Sequence, residues 1–214
     1  VLSGSVKLKD NVEMKINEDR RHDTRAYHSA THLLHESLRR VLGKHVTQKG
    51  SLVDSSRLRF DFSHMKPISN DDVEKIETFV NSMVSKKTEV RTRLMTPDEA
   101  VENGALALFG EKYGEEVRVV FMGEEENKYF STELCGGTHV KNTIDIGNFK
   151  VVSQSAIAAG VRRVEALRDK QLDEFLKNKE KQSSLSEQKD DETIKILSEE
   201  IKKLGGKLNL NKEN

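Results

Sequence analysis

The 214-residue chain balances 36 Lys and Arg against 36 Asp and Glu, so its net charge does not mark it as a nucleic-acid polycation, although Arg20-Arg21, Arg39-Arg40 and Arg162-Arg163 leave room for a local basic face. Its 35% hydrophobic content, without tryptophan, allows one or two domains around a modest core, and no apolar run approaches the ~20 residues that span a bilayer. A single cysteine rules out an internal disulfide, and the start of the chain lacks the apolar stretch of a secretory signal, so the chain reads as cytoplasmic.

Residues 1–20 alternate (Val6, Leu8, then Val12, Met14, Ile16) and predict the last strands of a β element whose partners are missing. Opening on Val in mid-alternation, the chain reads as a piece of a longer protein. A helix follows, with Asp23 as N-cap and Gly43 at the C′ position after Leu42. Residues 45–62 predict a hairpin: His45–Val53, a turn at Asp54-Ser55-Ser56, then Arg57–Phe62, where Leu58, Phe60 and Phe62 share one face. Ser69 to Asp72 resembles a capping box for a helix to about Lys86, with Val73, Ile76, Val80, Met83 and Val84 as its apolar positions. A strand at Glu89–Met95 precedes Thr96-Pro97-Asp98-Glu99. There an N-cap, a proline at N1 and an acid at N3 open a short helix to Asn103, which Gly104 stops. Further strands are expected at Glu116–Met122, Phe149–Ser153 and Val161–Ala166. From Asp169 the composition turns polar. Leu172 and Phe175, then Ile194, Leu197, Ile201 and Leu204, carry helical spacing on either side of a polar, mobile Ser183–Asp191 stretch, and Gly205-Gly206 ends the last helix. The expected fold is α+β: a mixed or antiparallel sheet with packed helices, followed by a helical C-terminal tail.

Two close pairs of potential ligands stand out: His28 with His32, and Cys135 with His139. Four soft or borderline ligands of this kind suit a tetrahedral Zn²⁺ ion, so the helices and sheet are expected to surround a zinc-binding cleft. At ~100° per residue, Ala30, Leu34, Leu38 and Val41 form an apolar stripe, while His28, His32 and His35 form another more than a quarter-turn away. Positions 28 and 35 lie ~10 Å apart along a helix and cannot easily share an ion. The helical pair is therefore 28/32 or 32/35. The i,i+4 pair is preferred, with His35 as outer support. Ser29 stands where His-Glu-x-x-His would place its glutamate, which argues against peptidase chemistry. Gly136 and Gly137 are expected to permit the tight turn between Cys135 and His139.

The motifs His28-Ser-Ala-Thr-His32-Leu-Leu, Gln48-Lys-Gly-Ser-Leu-Val53, Arg57-Leu-Arg-Phe-Asp-Phe62, Cys135-Gly-Gly-Thr-His139 and Ala159-Gly-Val-Arg-Arg-Val-Glu-Ala166 occur in this order. Together they closely resemble the editing domain of alanyl-tRNA synthetase. Free-standing alanyl-tRNA editing proteins are related, and the threonyl-tRNA synthetase editing domain more distantly. The resemblance implies remnant strands of a preceding β-barrel at 1–20, the editing domain at 21–168, and a charged helical connector at 169–214 leading to a missing C-terminal domain. Aminoacylation is not expected from this segment.

The resemblance further implies hydrolysis of Ser-tRNA(Ala) and Gly-tRNA(Ala), because a pocket sized for alanine cannot strongly exclude glycine. It assigns His28, His32, Cys135 and His139 to zinc, which would polarise the ester, activate water or only position the substrate. Thr31, between the two stripes, is the candidate to meet the serine hydroxyl or the scissile region. Gln48 and Ser51 are expected to contact the substrate, and Gly50 to let the backbone approach it. Arg162 and Arg163 are candidates for the tRNA 3′ end, although alternation puts them on opposite faces. The implied partners are the mischarged acceptor end of tRNA(Ala) and the rest of a parent synthetase, with the missing C-terminal region as the route to any oligomer. No membrane partner is implied. The competing reading is an RNA-binding segment with structural zinc and no activity in isolation.

Overall fold

A computed structural model of the chain describes residues 3, 5–106, 114–126 and 128–205. Helix α1 spans Glu18–Leu42, and strands β1 (Gln48–Val53) and β2 (Leu58–Ser63) follow it. Helix α2 (Asn70–Ser85), β3 (Arg91–Met95) and the short α3 (Pro97–Glu102) lead to β4 (Val117–Glu125) and β5 (Lys128–Leu134). A 3₁₀ turn at Thr143–Ile146 precedes β6 (Phe149–Ala158), β7 (Val161–Arg168) and α4 (Asp169–Lys203). The strands form two antiparallel sheets, ordered β1-β2-β7-β6 and β3-β4-β5, so the fold is α+β as expected. Compact units divide after Asp169. No helix among the described residues is long and apolar enough to cross a membrane.

Capping chemistry sets most boundaries. Ser69 accepts from the amide of Asp72 at 3.1 Å. Thr96 and Glu99 complete a reciprocal capping box with Pro97 in the first turn. Asp54 accepts from the amides of Ser56 and Arg57 and folds the β1–β2 turn back on itself. The first helix departs from expectation. Its N-cap is Asn17, which accepts from the Arg20 amide at 2.8 Å, while Asp23 sits inside the helix and pairs with Arg168. Gly43, at φ 118°, does end the helix.

Helix α1 is buried on nearly every side through its middle. Ala26, Ala30, Leu33, Leu34 and Leu38 are wholly inaccessible and join Phe60, Phe62, Val80 and Met122 in the main core. Most of the histidine stripe is buried too, at 7% exposure for both His32 and His35, with His28 half-buried. Strand β4 is covered on both faces, which explains its continuous apolar run. Val120 and Met122 enter the main core, while Val117, Val119 and Phe121 pack with Ala100 and Ala105 in a second cluster.

Three other expectations are corrected. Residues 5–16 form no strand, and Leu8 and Met14 are about nine-tenths exposed. Their alternation pairs with no strand among the described residues, and a lone strand is not stable. The first hairpin strand starts at Gln48, not His45. Helix α4 runs unbroken through Ser183–Asp191, since that stretch is polar but contains neither Gly nor Pro to interrupt it. Gly205 follows the helix at φ 78°, while Gly206 lies outside the described residues.

Candidate metal centre

Strand β5, with the loop after it, brings Glu133, Cys135 and His139 against the histidine stripe of α1. One ligand atom from each of His28, His32, Cys135 and His139 lies within 4.8 Å of every other. The structure thus joins both sequence pairs, and it leaves His35 outside the set. The Cys135 sulfur sits 3.4 Å from His28 Nε2.

Neighbouring acceptors orient the rings. Glu133 spans two histidines, accepting from His32 Nδ1 at 2.8 Å and from His35 Nδ1 at 3.0 Å. The Thr138 carbonyl accepts from His28 Nδ1 at 3.1 Å. With Nδ1 donating, the neutral rings carry their lone pairs on Nε2, which is the form a metal requires. His32 Nε2 and both ring nitrogens of His139 are buried with no hydrogen-bond partner among the described residues. Buried imidazole nitrogens seldom go unsatisfied, so the donor set fits a cation that would take up these lone pairs.

The electrostatics agree. Burial would lower the basicity of His32, but the charge of Glu133 outweighs it and raises the ring well above its ordinary range. Burial would raise Glu133, yet His32 and His35 hold it far below the usual carboxylate range. Burial also works against the Cys135 thiolate, and the adjoining imidazoles of His139, His28 and His32 bring the thiol down to about 3. His139 is lowered chiefly by burial. The centre thus holds a thiolate, and it stabilises positive charge at His32 but not at His139.

The Cys135–His139 loop is shaped differently from expectation. Neither Gly136 nor Gly137 has positive φ. Gly137 is needed because a Cβ there would lie 2.3 Å from Cε1 of His28, whereas one on Gly136 would meet open space. Ser29 anchors the loop by accepting from the Val140 amide at 3.1 Å, and Arg118 Nη1 donates to the Cys135 and Gly137 carbonyls at 2.7 and 2.8 Å.

A cavity of about 540 Å³ opens beside the centre. Thr31, Gln48 and Ser51 all line it, as do His35 and Glu133. The Thr31 hydroxyl donates to the Tyr27 carbonyl at 2.8 Å, which leaves its oxygen only as an acceptor toward the cavity. Gln48 and Ser51 stand 3.4 Å apart. A bulge between Gln48 and Gly50 turns Gly50 to the other sheet face, where an added Cβ would face Asp61 at 3.3 Å. Gly50 is therefore absent from the lining. Arg163 is also directed elsewhere, since its guanidinium grips Asp61 at 2.7 and 2.8 Å. Arg162 reaches Gln154 at 3.4 Å, and neither arginine lines the cavity. Glu133 and Ser29 were missed from sequence. Glu133 was legible only once β5 was known, because alternation then places it on the same face as Cys135.

Residues 117–165 match the second additional domain of threonyl and alanyl tRNA synthetases. More particularly, the chain is similar to a segment of alanine–tRNA ligases. It is 61% identical to that of Parvibaculum lavamentivorans over 167 residues, covering 77% of this chain and 19% of the ligase. The Mesorhizobium japonicum ligase is 58% identical over 172 residues, 78% of this chain and 19% of the ligase. The Rhizorhabdus wittichii ligase is 51% identical over 215 residues, 95% of this chain and 24% of the ligase. The chain thus spans about a fifth to a quarter of the length of these relatives.

Proposed function

We propose that this chain hydrolyses the ester joining serine or glycine to the 3′ end of tRNA(Ala), the proofreading step of an alanine–tRNA ligase. The convergence of His28, His32, Cys135 and His139, with the first three of them on the wall of the cavity that Thr31 also lines, carries this reading. These four side chains would hold zinc, whose charge polarises an ester carbonyl or makes a bound water more acidic. The remaining roles belong to the chain. Thr31 accepts the hydrogen bond of a seryl hydroxyl, which alanine cannot offer, while glycine enters because it is small. Gln48 and Ser51 orient the aminoacyl and ribose groups from the opposite wall. His35, held by Glu133 through Nδ1, lines the same cavity and braces the carboxylate that orients His32.

The direct test is deacylation of Ser-tRNA(Ala) against Ala-tRNA(Ala). The expected result is rapid loss of the seryl ester and slow loss of the alanyl ester. A zinc-loaded protein that hydrolyses neither would leave an RNA-binding segment with a structural metal.

Two variants probe the roles. Thr31→Val keeps the volume and removes the hydroxyl, so Ser-tRNA(Ala) hydrolysis falls roughly tenfold, the worth of one hydrogen bond, while Gly-tRNA(Ala) hydrolysis changes little. Equal losses for both substrates would show that Thr31 does not read the hydroxyl. Glu133→Gln removes the charge and one of the two acceptors for His32 and His35, so zinc affinity drops about 10–100-fold in competition with a chelator. Unchanged affinity would mean that this carboxylate does not organise the centre.

A further inference from the structure

On the far side of the Cys135–His139 loop lies a second cleft, of about 600 Å³. It shares Gly137 and Thr138 with the first cavity, so the same loop walls both. Its charged lining is one-sided. Arg25, Arg118 and Lys141, with His22, face a single carboxylate, Asp145, which already accepts from the Asn142 amide at 3.3 Å.

Several arginines elsewhere in the fold are neutralised by carboxylates. Arg40 is paired with Glu36 and Glu125, Arg57 with Glu165, Arg163 with Asp61, and Arg168 with Asp23 and Asp169. In the second cleft, the Arg25 guanidinium and the Lys141 ammonium have no ion-pair or hydrogen-bond partner among the described residues. Arg118 spends only Nη1 on the loop carbonyls, which fixes its plane and leaves Nε and Nη2 as donors. Among the described residues the amides of Gly136, Gly137, Thr138 and His139 also donate no hydrogen bond. Anchored guanidinium donors, unpaired cations and a run of unused amides form an anion-binding concavity.

We infer that this cleft holds the phosphodiester backbone of the RNA 3′ strand whose terminal ester enters the neighbouring cavity. The inference rests on the proposed ester substrate. It assigns the RNA contact to Arg25, Arg118 and Lys141 rather than to Arg162 and Arg163. An RNA backbone suits the cleft better than an acidic peptide, because the anionic site lies one loop away from the cavity that would take the aminoacylated ribose. Arg25, three residues before His28 on α1, ties the two sites to one rigid element.

The test uses an acceptor-stem hairpin RNA carrying serine on its 3′ end through a non-hydrolysable amide. Binding to the 214-residue protein is measured at several salt concentrations for the wild type, Arg25→Gln, Lys141→Gln, the double variant and a Lys75→Gln control on α2. Each cleft variant is expected to weaken Kd severalfold and the double variant at least tenfold. The slope of log K against log salt should shrink by about 0.7 for each lost contact, and Lys75→Gln should change nothing. Metal content and thermal midpoint stay at wild-type values, which separates lost contact from lost fold. An unchanged Kd and slope in the double variant overturn the inference. So does a wild type that fails to bind the hairpin, or that binds a glutamate-rich peptide equally well. If RNA binding responds as expected while the seryl ester on tRNA(Ala) survives, the hydrolytic reading fails and the cleft stands.

Discussion

Cys135→Ala empties the metal centre and abolishes ester hydrolysis. The sulfur is the only thiolate in the set, and the chain has no second cysteine to replace it. Loss of outer-sphere support alone costs a metal site about 10–100-fold, so removing a direct ligand should cost more than ~100-fold. Purified variant protein should contain little zinc by elemental analysis, while the wild type binds it stoichiometrically. Full zinc in the variant would refute the ligand assignment, and full activity without zinc would refute a metal requirement. The protonation pattern adds a second readout. Cys135, brought down to about 3, is already a thiolate near neutral pH, whereas His32 is raised by Glu133 and carries a proton there. A metal must displace that proton, because both occupy Nε2. Calorimetry in buffers of differing ionisation enthalpy should therefore show proton release on zinc binding even where the thiol has none to give. The signs follow for the metal-free fold. A raised His32 contributes stability that is complete below its unfolded value and lost as pH rises through the folded one. A depressed Cys135 contributes stability present above its unfolded value and lost as pH falls through about 3.

What could be read from the sequence was whatever local rules control. Ser69, Thr96, Pro97 and Gly43 act within one turn of chain, and each marks an element end where the structure has one. The His28/His32 spacing also operates within one helix, and the wheel separated it correctly from the stripe of Ala30, Leu34 and Leu38. Features that depend on distant chain were not legible. Strand β5 was overlooked because its two faces serve different purposes. Phe130 enters the core, while Ser131 and Glu133 turn toward the histidines, so no simple apolar alternation survives. Gly137 looked like a turn residue, but its reason is the His28 ring from a helix more than a hundred positions earlier. Arg163 looked like a free cation for RNA because its partner, Asp61, lies on β2 and becomes its neighbour only through the β2–β7 register. Conversely, Lys141 and Arg25 belong to no basic pair, so composition drew no notice to them.

Arg168→Ala lowers the stability of the folded unit by about 3 kcal/mol, at the lower end of the range for breaking a buried ion pair. The side chain is 5% exposed and joins three parts of the fold at the end of β7. Nε donates to the Ile146 carbonyl and Nη2 to the Asp145 carbonyl at 3.3 Å, both in the 3₁₀ turn. Nη1 meets Asp23 of α1 at 3.0 Å, and Nη2 meets Asp169 at 2.7 Å. The backbone amide of Arg168 donates to the Tyr27 hydroxyl, which in turn donates to the Ser56 carbonyl of the hairpin turn. Truncation strands the carbonyl of the fully buried Ile146 and opens a cavity beside Tyr27, and each effect costs free energy. The carboxylates limit the loss: Asp23 and Asp169 keep 32% and 43% side-chain exposure and can recover water. For a chain of this length ~3 kcal/mol corresponds to a fall in Tm of roughly 6–12 °C. Arg168→Met separates the two contributions. It refills most of the volume without restoring a donor, so if unsatisfied acceptors dominate it should melt near the alanine variant. If packing dominates, it should melt near the wild type. An alanine variant within about 2 °C of the wild type would mean that the 3₁₀ turn finds other donors. The role of Arg168 in joining α1, the turn and β7 would then be withdrawn. Because α1 carries His28 and His32, loosening this junction should also weaken zinc binding, by less than Cys135→Ala but measurably, which links the stability of the fold to the geometry of the centre.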